Sequence, residues 1–167
     1  MLDQLARQNR WWADRSSIAR DRHLRRLRES PRQWLPPLPF RFDRDAVYTV
    51  RGPRQVGKST ILKRQVEALL KEAWPAQHAL YLDVELAGLE HARDLTEALR
   101  AYTDFARVPG NGALPRLAIF LDEVTRIPEW AGAIRGLIDN DELHASGSAF
   151  ARNWRRCSRA ILPPAAT

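Results

Sequence analysis

The sequence predicts an α/β fold built on a parallel sheet, and three observations carry this prediction. Short β-rich runs alternate with segments whose apolar residues recur at helical spacing. A glycine-rich segment joins the first β-rich run directly to the first helical segment. The third run is apolar throughout, as a strand covered on both faces should be, and it ends in two adjacent carboxylates.

The predicted elements follow one another as strand, helix, strand, helix, strand, helix. The strands are expected at 46–50, 79–84 and 117–121, and the helices at 59–74, 92–106 and from Pro128 onward. Pro75 ends the first helix, and Pro128 suits the start of the last one. Strands that alternate with helices imply parallel pairing through right-handed crossovers.

The segments on either side of this pattern are less regular. Two Arg-rich helices are expected at 2–12 and at about 16–29, and the proline-rich run 30–40 is expected to be an extended linker. After Asn140 the periodic pattern ends. The predicted domain organisation is therefore a basic helical extension with its linker at 1–40, a core at 41–145 and a basic, irregular tail at 146–167.

The charge distribution, the apolar runs and the cysteine count limit which classes of protein this chain can belong to. The chain has 167 residues and a net charge of +7, made up of +5 in residues 1–45, −2 in residues 46–145 and +4 in residues 146–167. No apolar run reaches the eighteen or so residues of a membrane span, and the charged N-terminus does not resemble a signal peptide. Because Cys157 is the only cysteine, an internal disulfide is excluded. We expect a soluble cytoplasmic protein without a membrane partner, whose basic ends are solvated or bind nucleic acid.

The stretch RGPRQVGKSTILK contains the spacing G-x-x-x-x-G-K-[ST] of a phosphate-binding loop. Gly52 and Gly57 let the backbone curl so that successive N–H groups point at phosphate oxygens. Lys58 is predicted to neutralise β- and γ-phosphate charge, and Ser59 to offer its hydroxyl to Mg²⁺. The predicted nucleotide-binding residues are Gly52, Pro53, Arg54, Gln55, Val56, Gly57, Lys58, Ser59 and Thr60.

The third predicted strand ends in Asp122 and Glu123, at the sheet edge where parallel sheets bind ligands. Asp122 is predicted to hold the Mg²⁺ water shell. Glu123 can orient and deprotonate an attacking water. A kinase, which transfers phosphate to a bound substrate, has no need of this second acid, so the pair favours hydrolysis.

Five other residues have more ordinary interpretations. Asp83 and Glu85 are expected at the same sheet edge as Asp122, as a solvated strand end. Arg126 is expected to pair with a nearby acid rather than with phosphate. Trp11 and the following Trp12 are expected to pack against the core rather than to stack on nucleic-acid bases.

Three segments together closely resemble the bacterial and archaeal family of AAA-type P-loop ATPases, whose members often carry a C-terminal nuclease-like region. These segments are VYTVRGPRQVGKSTILK, YLDVE and FLDEVTRIPEW, and LARQNRWW is similar to a QNPWW lead-in of some members. The resemblance covers about residues 3–150. It implies a P-loop NTPase fold with a three-layer α/β/α parallel sheet, MgATP as ligand, and the Asp122 strand next to the 46–50 strand. By motif it implies that Gly52, Gly57, Lys58, Ser59 and Thr60 contact phosphate and Mg²⁺, and that Asp122 and Glu123 are the metal and catalytic acids.

The sequence departs from this family after the Trp130 helix. Members usually continue with an apolar strand ending in TGS, which brings a polar sensor to the γ-phosphate. Here only DELHA separates Asn140 from the SGS at 146–148, which is too few apolar residues for a buried strand. We therefore expect a sheet that is incomplete on its C-terminal side, with the edge of the 46–50 strand left open. A truncated or shifted reading frame would explain such a tail.

The leading functional hypothesis is a MgATP-binding AAA-type ATPase module that hydrolyses ATP to ADP and phosphate, with Glu123 and Lys58 as catalytic residues. One alternative is a truncated nucleotide-binding remnant without turnover, which the missing strand favours. Another is a basic nucleic-acid-interacting protein with a regulatory ATP site. A homo-oligomer also remains open.

Overall fold

The computed structural model of the chain describes residues 1–31, 40–42, 46–53, 55–107, 116–143 and 148–153, the last segment for its backbone alone. Most of the predicted linker, the loop residue Arg54, the SGS positions 146 and 147 and the tail from 154 onward lie outside the described residues. Within the described part, no helix has the length and apolarity to cross a membrane.

The described elements follow the predicted alternation closely. The strands are β1 (Val47–Gly52), β2 (Ala79–Asp83), β3 (Ala118–Asp122) and β4 (Ser148–Asn153). The helices are α1 (Leu2–Gln8), α2 (Arg22–Glu29), α3 (Lys58–Lys71), α4 (Ala92–Ala106) and α5 (Trp130–Asp139). Short 3-10 helices lie at Arg10–Trp12, Arg15–Arg20, Ala76–His78 and Val124–Arg126. The mixed α/β class with a parallel sheet is confirmed.

The four described strands form one parallel sheet in the order β1-β4-β3-β2. Three expectations are corrected by this order. The Asp122 strand is not next to the P-loop strand, because β4 lies between them. The edge of β1 is not left open on that side, and residues 148–153 are not irregular, since they pair with β1 from Val47↔Ser148 to Gly52↔Asn153. The apolar pattern hid this strand because its sequence, SAFARN, contains only three apolar residues.

Two apolar clusters surround β2 and β3, whose alternate residues belong to different clusters. Leu80, Leu82, Ile119 and Leu121 pack with residues of α4 and α5. Ala79, Tyr81, Ala118 and Phe120 pack with residues of α3 and with three side chains of the N-terminal extension. These last three are Trp11, Ile18 and Leu24, each at most 5% exposed. The extension is therefore part of the core, because its apolar side chains fill space beside α3.

The segment Gln8–Trp12 covers the outer edge of β2 with side-chain hydrogen bonds. The Gln8 amide pairs with the backbone N and O of Asp83, at 2.9 and 3.2 Å. The fully buried Asn9 amide pairs in the same way with Tyr81, at 2.7 and 2.9 Å. The indole N–H groups of Trp11 and Trp12 both donate to the carbonyl of Ala79 at 3.0 Å. Side chains thus take the place of a neighbouring strand and close an edge that would otherwise expose unpaired backbone groups.

The Asn9→Ala variant should test this edge. Loss of the Asn9 amide would leave the buried N–H and C=O of Tyr81 without hydrogen-bond partners, and each unpaired group costs roughly 1–3 kcal/mol of stability. We expect the free energy of unfolding to fall by roughly 2–5 kcal/mol. Urea denaturation measures it, with the exposed Asn140→Ala as the matched control. Equal stability of the two variants would show that Asn9 does not hold the edge.

Candidate functional site

The glycine loop connects the end of β1 to the start of α3, as the motif requires. Gly52 closes β1, and a Cβ atom placed there would lie 3.0 Å from Cγ2 of Val56. Gly57 is left-handed, with φ 86°, and precedes the first residue of α3. Gln55 also has a positive φ of 64°. The backbone of the described loop residues therefore depends on both glycines, one for close approach and one for its backbone angle.

Lys58 is the first residue of α3 and is only 7% exposed. Its Nζ donates to the carbonyl oxygens of Gly52 and Pro53, at 3.2 and 2.9 Å. These bonds hold the ammonium group within the loop that the motif assigns to phosphate. The other predicted loop contacts are less enclosed: Pro53, Gln55 and Val56 are exposed, while Ser59 and Thr60 are half-buried.

Asp122 ends β3 and is 1% exposed, so a buried carboxylate lies at the carboxyl edge of the sheet. Its Oδ2 accepts a hydrogen bond from the Tyr81 hydroxyl at 2.8 Å. Its Oδ1 accepts one from the backbone N–H of Glu123 at 3.1 Å. Tyr81 also interacts with the side chain of Ser59, and burial together with the negative charge of Asp122 raises the Tyr81 pKa well above its ordinary value. One phenol therefore lies between the two residues that the sequence assigns to the metal.

Glu123 follows β3 in a left-handed conformation, with φ 52° and ψ 23°. A non-glycine residue in this region carries backbone strain of about 1 kcal/mol or more, and such residues concentrate at functional sites. Burial and the neighbouring charge of Asp122 raise the pKa of the Glu123 carboxyl, while the charge of Lys58 acts in the opposite direction. The loop lysine and the second acid are thus close enough to influence each other electrostatically.

Asp83 and Glu85 were expected to be a solvated strand end, which holds for the exposed Glu85 but not for the half-buried Asp83. Asp83 lies opposite Asp122 in the β2–β3 register, and burial together with the Asp122 charge raises its pKa. Arg126 forms an ion pair with Glu85 at 2.6 Å between exposed side chains. Arg126 therefore pairs with an acid of its own sheet edge.

The oxygen atoms of Ser59 and Asp122 are suited to an Mg²⁺ ion that is bound together with a nucleotide. Ser59 and Asp122 supply hard oxygen donors, which Mg²⁺ prefers, and Mg²⁺ commonly uses one or two carboxylates plus substrate phosphates. The described residues contain no cluster of three or more His, Cys, Asp or Glu side chains that could hold a metal without such a ligand. When bound, the ion would neutralise phosphate charge, and Ser59 and Asp122 would be the residues that hold it.

Tyr81→Phe should show how strongly the Asp122 carboxylate depends on its phenol partner. A hydrogen bond to a charged group contributes roughly 1.5–3 kcal/mol, so the free energy of unfolding should fall by about that amount at neutral pH without Mg²⁺. Tyr102→Phe is the matched control, because its buried hydroxyl has no hydrogen-bond partner in the described part of the chain. Urea denaturation of both variants measures the difference, and an equal effect would contradict this role of Tyr81.

Sequence reasoning missed two features of the site. The first is Tyr81, which looks like an ordinary apolar strand residue in ALYLDV, although its position two residues before Asp83 placed it near the sheet edge. The second is β4, whose backbone brings Asn153 into register with Gly52 between the loop and β3. Its sequence, SAFARN, contains no strand-length apolar pattern that could have revealed it.

Comparison with known proteins gives one family. A family model described as an AAA domain matches residues 44–155, which is about two thirds of the chain. No curated protein and no solved structure matches the chain. The matched region includes the glycine loop, Asp122, Glu123 and β4, and it extends past the core boundary predicted at residue 145. The chain belongs to the AAA domain family and carries the nucleotide-binding, ATPase-like module of that family.

Proposed function

We propose that this chain is a MgATP-binding ATPase module that hydrolyses ATP to ADP and phosphate. The observation that carries the proposal is the meeting of four side chains at one sheet edge. Lys58 lies at the loop, the Tyr81 hydroxyl donates to Asp122 and lies beside Ser59, and Glu123 is next to Asp122. The P-loop NTPase arrangement with a three-layer α/β/α core, and the predicted domain division, are part of the same proposal.

Each residue has a definite role in this proposal. The loop N–H groups and Lys58 bind the β- and γ-phosphates, and Lys58 would exchange its two loop carbonyls for phosphate oxygens. Ser59 and Asp122 hold Mg²⁺, which supplies charge neutralisation on the phosphates. Glu123 accepts a proton from the attacking water, for which its raised pKa makes it a stronger base than an ordinary glutamate.

The alternative without turnover loses part of its support. That alternative depended in part on a missing strand beside the P-loop strand, and β4 occupies this position in the sheet. The nucleic-acid alternative rests on the basic ends of the chain, and base stacking on the tryptophan pair does not add to it. Trp11 is 3% exposed, and the ring of Trp12 packs on Tyr102 and Phe105.

Phosphate release from ATP by the purified full-length chain tests the proposal. We expect steady release that requires Mg²⁺ and stops when EDTA removes the ion. An AAA module can require its neighbours in an assembly, so the assay should be repeated over a range of protein concentrations. Binding of MgATP by a folded chain without release at any concentration would favour the non-hydrolytic alternative.

A further inference from the structure

A cavity of about 660 Å³ lies between the N-terminal extension and the sheet edge. Residues of α1, α2, both 3-10 helices of the extension, α3 and β2 line it, and none of the described loop residues 52, 53 and 55–60 takes part. Its size falls within the range of small-molecule sites. The cavity is therefore distinct from the glycine loop, although the buried Tyr81 lines both this cavity and the Asp122 site.

The lining of this cavity is strongly basic. Five of the described lining residues are lysine or arginine and two are aspartate. One aspartate, Asp21, is already bound to Lys63 at 2.7 Å. The exposed Arg7 and Arg10 have no hydrogen-bond or ion-pair partner among the described residues. Two guanidinium groups thus remain available at the mouth of the cavity. Of the two other arginines that line it, Arg20 is paired with Asp14 at 2.7 Å and Arg22 donates to His23 at 3.2 Å, both at exposed positions from which they can turn to a ligand.

The chemistry of the lining selects the class of ligand. Planar guanidinium groups bind phosphate through paired hydrogen bonds, and a cluster of them favours several phosphates over one carboxylate. A single-stranded nucleic acid would need exposed aromatic faces on which bases stack. Trp11, the indole that lines this cavity, is buried and donates its N–H to Ala79.

We propose that this cavity is a second binding site, for a small molecule that carries several phosphate groups, with Arg7, Arg10, Arg20 and Arg22 as its main ligands. Binding in this cavity does not depend on ATP hydrolysis at the glycine loop. The shared Tyr81 places the bound molecule one side chain away from Asp122.

Calorimetric titration with inorganic tripolyphosphate, without Mg²⁺ or ATP, tests this site in the full-length chain. The Lys58→Ala background removes the main phosphate contact of the loop, so that the cavity is measured alone. In that background we expect saturable binding of one tripolyphosphate per chain. The double variant Arg7→Ala/Arg10→Ala should weaken it about tenfold or more.

The matched control is Arg25→Ala/Arg26→Ala, which removes two exposed arginines of α2 that do not line the cavity. This control should change the affinity less than twofold. Absence of binding in a folded Lys58→Ala chain would overturn the proposal, and so would an equal loss from both arginine pairs. If Lys58→Ala does not fold, the two pairs are compared in the wild-type chain, where the loop contributes equally to both. Failure of this test leaves MgATP binding at the loop unaffected, so the two sites are judged separately.

Discussion

The Lys58→Ala variant is expected to lose MgATP binding by at least about a hundredfold. Lys58 is the only lysine in the loop motif, and its buried Nζ already lies against the carbonyls of Gly52 and Pro53. On nucleotide binding it would donate to the β- and γ-phosphates instead. Each hydrogen bond between charged groups contributes roughly 1.5–3 kcal/mol, so two of them correspond to about a hundredfold or more in the dissociation constant.

Calorimetric titration of the variant with MgATP measures this loss. Lys71→Ala is the control, because Lys71 is on the same helix but its side chain is 67% exposed and lies at the far end. The control should bind as the wild type does. A folded Lys58→Ala chain with wild-type affinity would show that the loop is not the phosphate site.

The Glu123→Gln variant is expected to keep MgATP binding and to lower turnover by about 10²–10⁴-fold, the usual contribution of a general base. Glutamine keeps the size and hydrogen-bonding length of the side chain but cannot accept the proton of the attacking water. Asp122 keeps its hydrogen bonds from Tyr81 and from the backbone of residue 123, so the metal acid should stay in place.

The measurement is the rate of phosphate release at saturating MgATP, with binding checked by titration on the same preparation. Glu85→Gln is the matched control, because Glu85 also follows a strand at this edge but pairs with Arg126 on the surface. We expect Glu85→Gln to stay within about threefold of the wild type, as surface changes usually have small effects. Turnover that persists unchanged in Glu123→Gln would remove Glu123 from the role of base.

The alternating strands and helices were predictable because their hydrophobic periodicity is strong. The helix expected at 92–106 is observed as Ala92–Ala106, and the second and third strands end within one residue of the prediction. The loop context followed from the motif, since its glycines and lysine have to lie between a strand and a helix. These features are local, so a short window of sequence contains the information that determines them.

The fourth strand could not be predicted because its order in the sheet is a non-local property. β4 pairs with β1 on one side and with β3 on the other, so its stability comes from neighbours on both edges. A strand held by neighbours on both sides needs few apolar residues of its own to be stable, and SAFARN has only three. The predicted adjacency of β1 and β3 was wrong for the same reason.

The role of the N-terminal extension was only partly visible in the sequence. Packing of the tryptophan pair on the core was expected, and both indoles do contact β2. The amide groups of Gln8 and Asn9 gave no such signal, because a polar side chain that replaces a strand has no periodic pattern. Likewise, contact between Tyr81 and Asp122 joins residues 41 positions apart, which only the sheet register brings together.

Titration of the wild-type full-length chain with ATP, with and without Mg²⁺, tests the central claim most directly. We expect saturable binding of one nucleotide per chain that is tighter with Mg²⁺, because Ser59 and Asp122 would hold the ion against the phosphates. Circular dichroism on the same sample establishes that the chain is folded. A folded chain that binds neither ATP nor MgATP would contradict the assignment of this sheet edge as a nucleotide site.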